Sequence, residues 1–287
     1  MSDVRCYRVA DLTRDEFAQA MRAGRWLLLP FGSIEQHGPH LPLGTDFFYG
    51  EHVCLAVAEQ VNGLVAPGFP YGICRTMRNF PGTVSLSPET FTPMLREVLA
   101  EYIRHDARKF ALIAGHAEEA QNGAMREAVL PFVNADPTLK VLLIGPYDFL
   151  DPVREEAGLV GTDGHAGSIE TSELLVIAED KVHLDRLPEV TRPRLSRFRV
   201  MPHPETEFPI GVRGDTSKVS RALGERALSH AVAEIVRLLQ NLDGQGTHGD
   251  VLTKRFAEMA LRDGFAVGLV DHPAQPANRE DVVHAGN

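Results

Sequence analysis

Glu35, His37 and Asp46 stand close together in the stretch Phe31-Gly-Ser-Ile-Glu-Gln-His-Gly-Pro-His-Leu-Pro-Leu-Gly-Thr-Asp46, directly behind the apolar run Trp26-Leu-Leu-Leu-Pro-Phe31. Carboxylates and imidazoles are the ligand set of a hard-to-borderline divalent cation. A second pair, His116 and Glu118, follows another apolar run, Phe110-Ala-Leu-Ile-Ala114. In extended backbone, residues two apart point to the same side, so each pair offers two ligands in one direction. That is what two adjacent cations require, each drawing one residue from each pair. Asp46 can bridge them, because a carboxylate has two oxygens and neighbouring cations need an anion between them. The chemistry such a set supports is hydrolysis. Two divalent ions lower the pKa of a shared water from about 15.7 toward about 7, and they hold the charge that develops on a polarised carbonyl oxygen. No Gly-x-Ser-x-Gly elbow, P-loop or Gly-x-Gly-x-x-Gly fingerprint competes with this reading.

The elements that must position these residues read as a βαβ rhythm. Residues 26–31 read as a buried strand, followed by a loop over 32–45 and a helix from about Phe47 to Val61, with Val53, Val57 and Val61 at spacing four. Leu64 to Ala66 is a short strand, and Pro67 to Pro88 reads as a long surface connection. Ser87 and Pro88 open a helix to about His105, the 110–114 strand follows, then a helix to about Val133 and a strand at Val141 to Ile144. Glu155 to Gly167 reads as loop, Ile169 to Glu179 as helix, 185–217 as irregular and Lys218 to about Leu242 as an amphipathic helix. A Gly-rich hinge at 243–249, a helix over about 250–262 and a polar tail complete the chain. The expected organisation is a metallohydrolase domain over 1–245 and a C-terminal helical extension over 246–287. In open α/β sheets ligands bind beyond the carboxyl ends of the strands, and both His/Glu groups begin where a strand ends.

The chain of 287 residues is 44% hydrophobic, enough for a large α/β core. Its net charge of −10 argues against a nucleic-acid or anionic-membrane partner and for a small substrate. Cys6, Cys54 and Cys74 lack CxxC spacing, which suggests neither a disulfide framework nor a thiolate zinc knuckle. The polar N-terminus and the absence of a long apolar stretch predict a cytoplasmic protein.

Five blocks resemble, in order, the signature blocks of the creatininase (creatinine amidohydrolase) family: 32–46, Phe-Pro-Gly-Thr-Val-Ser-Leu-Ser-Pro-Glu-Thr at 80–90, Gly-His-Ala-Glu at 115–118, His-Ala-Gly-Ser-Ile-Glu-Thr-Ser at 165–172 and Gly-Val-Arg-Gly-Asp at 211–215. The resemblance implies a three-layer α/β/α sandwich with a mostly parallel sheet and a dinuclear Zn2+/Mn2+ centre. It also implies activity on non-peptide amides and assembly as a homo-oligomer, a hexamer built of dimers. Carried over by position, Glu35, Asp46 and His116 would hold one ion and His37, Asp46 and Glu118 the other. His165 would be the acid/base group protonating the leaving nitrogen, Glu170 a ligand or a carboxylate behind the ligands, and Glu118 or Glu170 would orient the water. His40 reads as structural support and Arg213 with Asp215 as a loop brace. His52, His105, His183, His203 and His230 read as surface or satisfied positions.

The sequence departs from creatininase where that enzyme is aromatic. Ala117 replaces a tyrosine and Gly161 a tryptophan, and the glutamate expected just before the acid/base histidine is Gly164, with Asp163 one step earlier. These departures argue for a bulkier or less planar amide than creatinine. Cleavage of another bond, in a formamide, a short peptide or a cyclic ketone, stays open. A metal-stabilised scaffold without catalysis is the non-enzyme alternative.

Overall fold

Why the strands form is plain from their composition: each is a short, nearly unbroken apolar run, as strands covered on both faces must be. The computed structural model describes residues 7–190 and 203–244, so the expected extension over 246–287 lies outside the described residues, as do residues 191–202 of the irregular 185–217 section and the hinge beyond Gly244. The strands are β1 (Leu27–Phe31), β2 (Leu64–Val65), β3 (Lys109–Ala114) and β4 (Lys140–Ile144), all parallel, in the order β2-β1-β3-β4. β1 pairs with β3 from Leu27↔Phe110 to Phe31↔Ala114. Pro30 sits inside central β1 without disrupting it. Its carbonyl accepts from Phe69 N at 2.9 Å, so its missing N–H faces the side where β2 has already ended after two residues.

Helices cover both faces. Leu27, Leu29, Phe31, Phe110, Leu112 and Ala114 pack with Phe91, Leu95 and Leu99 of α3 (Pro88–Arg104) and with Ala124, Met125 and Ala128 of α4 (Glu119–Ala135). Met21 of α1 (Arg14–Arg22) joins this core. The alternate residues Leu28, Ala111 and Ile113 are fully buried on the other face, where α2 (Thr45–Val61) crosses β1 and β3. Behind α2 lie α6 (Ser168–Ile177) and α7 (Arg221–Gly244), with short α5 (Asp151–Ala157) against α7. This is the α/β architecture expected, a parallel sheet flanked by helices. Among the described residues no helix is long and apolar enough to cross a membrane.

Four local expectations need correction. α1 has no counterpart in the sequence reading, although it begins with a capping box in which Thr13 accepts from Glu16 N and the Glu16 carboxylate accepts from Thr13 N at 2.8 Å. α5 runs on to Ala157, through the start of the stretch that reads as loop from Glu155. α2 starts at Thr45, so Asp46 lies in its first turn, where the helix dipole favours a carboxylate. The 67–87 connection is more than surface: Ile73, Cys74 and Met77 are buried in it, and Gly72 and Val84 bridge to Ser85 and Ile34.

Candidate metal centre

The carboxyl ends of β1 and β3 deliver the two predicted groups to one place. Glu35 and His37 come from the loop leaving β1, Asp46 from the first turn of α2, and His116 from the turn leaving β3. All four are buried. The two imidazoles are each oriented by a backbone carbonyl. His37 donates from Nδ1 to Glu35 O at 3.0 Å, which leaves its Nε2 3.1 Å from Asp46 Oδ1 and 3.8 Å from Glu170 Oε2. His116 donates from Nε2 to Ile73 O at 3.1 Å, which leaves its Nδ1 2.8 Å from Asp46 Oδ2 and 3.2 Å from Glu35 Oε2. A ring nitrogen tied to a backbone carbonyl while the other faces carboxylates is the arrangement of metal-ligating histidines.

The electrostatics express a demand for positive charge. Burial pushes His37 down, but the carboxylates of Asp46, Glu170 and Glu35 outweigh it and lift the imidazole to about 10. His116 is likewise raised well above its usual range by Glu35 and Asp46 against the cost of burial. The same contacts hold Asp46 and Glu35 below the usual carboxylate range despite burial. The buried carboxylates thus draw positive charge to this spot, which is what divalent cations supply. Glu35 Oε2 is buried and makes no hydrogen bond, its 3.2 Å approach to His116 Nδ1 aside, and is an acceptor of the kind a cation satisfies. Nitrogen and carboxylate donors suit zinc or manganese.

Three sets of donor atoms lie within 4.8 Å of one another: Glu35 with His37 and His165, His37 with Asp46 and Glu170, and Glu35 with Cys74 and His116. Glu118 belongs to none of these. It caps the start of α4, and its Oε2 accepts from the Thr76 hydroxyl at 3.2 Å. Glu170 instead stands at the corner with His37 and Asp46; burial raises its carboxyl to about 7, and Ala166 N donates to Oε2 at 2.6 Å. His165 lies beside His37, ring centroids 4.3 Å apart, with its Nε2 donating to Gln36 O at 2.8 Å. Burial and the neighbouring His37 push it down to about 4.

A cavity of about 190 Å³ opens over the cluster, lined by Glu35, Asp46, His116, Glu118, His165 and Glu170, and farther out by Ala117, Tyr147, Arg154 and Arg213. Arg154 is held by Asp163 at 3.2 Å, and Arg213 lies 5.1 Å over the Phe208 ring. Asp215 accepts from Ser217 N at 2.7 Å. His40 is buried, its Nε2 against the Thr171 hydroxyl at 2.9 Å, which matches a supporting role. Glu173, one turn beyond Glu170, is fully buried with neither carboxyl oxygen hydrogen-bonded, and the Tyr49 and Tyr147 hydroxyls are also without such a bond. Sequence reasoning missed Cys74, Tyr147, Arg154 and Glu173. For Cys74 the one available signal was its place in a Gly-rich loop following a strand.

Comparison with known proteins agrees with the fold. The creatininase (creatinine amidohydrolase) family matches residues 10–239. Creatinine amidohydrolase of Pseudomonas putida is 34% identical over 248 residues, covering 79% of this chain and 94% of its own. The mycofactocin precursor peptide peptidase of Mycobacterium ulcerans is 33% identical over 231 residues, with 73% and 82% covered. Solved creatininases in a Zn-Zn form and a Mn form both superpose with a TM-score of 0.77, at 28% and 29% identity, covering 82% of this chain and 98% of theirs. With the parallel sheet, the acidic and histidine cluster at its carboxyl edge and a match spanning most of its length, this chain belongs to the creatininase family of metal-dependent amidohydrolases.

Proposed function

We propose that the protein hydrolyses a non-peptide C–N bond in a small cyclic or linear amide, using two divalent cations, zinc, manganese or one of each. The observation that carries the pairing of cations is the divergence of the Asp46 carboxylate, with Oδ1 toward His37 and Oδ2 toward His116. Glu35 and His116 complete one position; His37 with Glu170 or Glu118 completes the other. Glu118 would join by exchanging the Thr76 hydroxyl for a cation.

When bound, the cations supply a nucleophile from water at neutral pH and positive charge for the developing oxyanion. The protein's own groups move the protons. His165 donates Nε2–H to Gln36 O, which leaves Nδ1 to take a proton from the attacking water. An imidazole pushed down to about 4 is a weak base, and its protonated form is in turn a strong acid toward a leaving amine. Glu170, close to both His37 and Asp46, orients the attacking water.

The cavity of about 190 Å³ is near the roughly 150 Å³ that admits a benzene-sized ligand, which favours a small ring or short linear amide. Ala117 lines it without an aromatic ring, and a side chain at Gly161 would meet open space, so no flat-ring sandwich forms at either position. Lactams, formamides and ureido compounds are the substrates to assay, with short peptides as a second class because one relative is a precursor peptide peptidase. Turnover of at least one amide by the metal-loaded protein, lost with a chelator and restored by zinc or manganese, is the expected result. Chelator-resistant turnover, or none across the panel, would overturn the proposal. The family resemblance adds a homo-oligomeric assembly, a hexamer, which mass photometry tests.

A further inference from the structure

We propose that Cys74 is a sulfur ligand to the cation held by Glu35 and His116, and that it biases this half of the site toward zinc over manganese. The inference rests on the metal-centre reading above. The thiol is fully buried, yet its surroundings are not those of a cysteine acting as a small hydrophobe. A Glu35 carboxylate oxygen, the Cys74 Sγ and a His116 ring nitrogen lie within 4.8 Å of one another. In a tetrahedral zinc site, bond lengths of about 2.0–2.3 Å put neighbouring ligand atoms about 3.3–3.6 Å apart, so this trio needs only a modest contraction. Glu35 Oε2 is buried, makes no hydrogen bond and stands 3.2 Å from His116 Nδ1, a second sign that a cation belongs between these atoms.

The segment carrying the thiol is pinned. Ile73 N donates to Gln121 Oε1 at 3.0 Å, Cys74 N donates to Ser85 Oγ at 3.0 Å, and Ile73 O accepts from His116 Nε2. Residue 73 thus orients the imidazole while residue 74 presents the sulfur. At Gly72 a Cβ would lie 2.1 Å from Gln121 Oε1 and 2.7 Å from Gly32 O, so a side chain there would push this segment away from the site. Binding replaces the S–H bond with a sulfur–metal bond and releases the proton to solvent, with no change of oxidation state. Thiolate is a soft donor that favours zinc, whereas an all-oxygen and nitrogen set accommodates manganese equally well.

The test is to load the metal-free full-length protein with cobalt(II), measure bound cobalt by elemental analysis and record its absorption spectrum. A near-ultraviolet sulfur-to-cobalt charge-transfer band is expected in the wild type and in Cys6→Ser/Cys54→Ser. Cys74→Ser should bind cobalt without the band, and in zinc-against-manganese competition should lose at least about tenfold of its zinc preference, the lower end of what even outer-shell changes cost. Bound cobalt without the band in the wild type, or a band that survives Cys74→Ser, overturns the assignment and leaves the metal centre standing. No cobalt bound at all overturns both.

Discussion

Gly115 and Gly50 face each other where the end of β3 passes the first turns of α2, and they answer differently to an added methyl group. A Cβ at Gly115 would sit 2.4 Å from Asp46 O and 3.0 Å from both Gly50 Cα and N, whereas one at Gly50 finds its nearest neighbour, Phe31 O, at 3.5 Å. The Gly115 clash is with backbone on α2, so no rotamer relieves it; restoring ordinary contact needs a displacement of about 1 Å between the strand end and the helix. Those two elements carry His116 and Asp46, whose Nδ1 and Oδ2 are 2.8 Å apart. Gly115→Ala is therefore expected to cost about 1–3 kcal/mol of stability and, because metal distances tolerate only about 0.2 Å, to lose cations disproportionately. Gly50→Ala, in a helix interior with room for the methyl, should be neutral or stabilising by up to about 1 kcal/mol and keep its metal. Urea midpoints and elemental analysis of both variants check this. If Gly115→Ala matched Gly50→Ala in stability and metal content, the tight approach of β3 to α2 would not be what sets the ligand distance.

Other expected outcomes follow from the buried acids and from His165. Burial, with Glu170 and Asp163 nearby, holds the Glu173 carboxyl well above the usual range. It is protonated in both folded and unfolded states below about pH 4.5 and ionises first in the unfolded state as pH rises, so its contribution declines upward from there. Glu173→Gln should therefore stabilise the protein more at pH 8 than at pH 5 in urea denaturation, and a pH-independent difference would contradict the assigned burial cost. His165→Gln is expected to lower kcat by about 10²–10⁴-fold with metal content retained. Loss of a cation instead would make His165 a ligand, as its place near Glu35 and His37 also allows.

The central strands are legible because β1 and β3 are buried apolar runs, and burial on both faces leaves composition little freedom; β4, at the sheet edge, is an apolar run of which only Leu142 and Ile144 are buried. Glu35, His37, Asp46 and His116 could be gathered from sequence because the strand-end rule places the residues after β1 and β3 side by side. Cys74 is brought in by contacts far apart in the chain, which no local pattern encodes, and Glu170 enters the sequence reading only through the family resemblance. α6 reaches the site because its start packs against residue 214, where a Cβ on Gly167 would lie 2.8 Å from Gly214 Cα, and because Gly224 lets α7 run against Ser172 O. The Cys74 segment is held by Gln121 of α4. α1 has no counterpart in the sequence reading although its signals are present: the capping box is written in Thr13 and Glu16, and Phe17, Ala20 and Met21 recur at helical spacing.

The account stands most directly on Asp46 as the link between two cations. Elemental analysis of the wild type and Asp46→Asn, purified in parallel after loading with zinc and manganese and gel filtration, measures this in one experiment. About two divalent ions per wild-type chain, falling below about one in Asp46→Asn while circular dichroism stays native, is the predicted result, because one carboxylate serves both positions. A wild type that holds at most one ion, or an Asp46→Asn protein that keeps two, would contradict it.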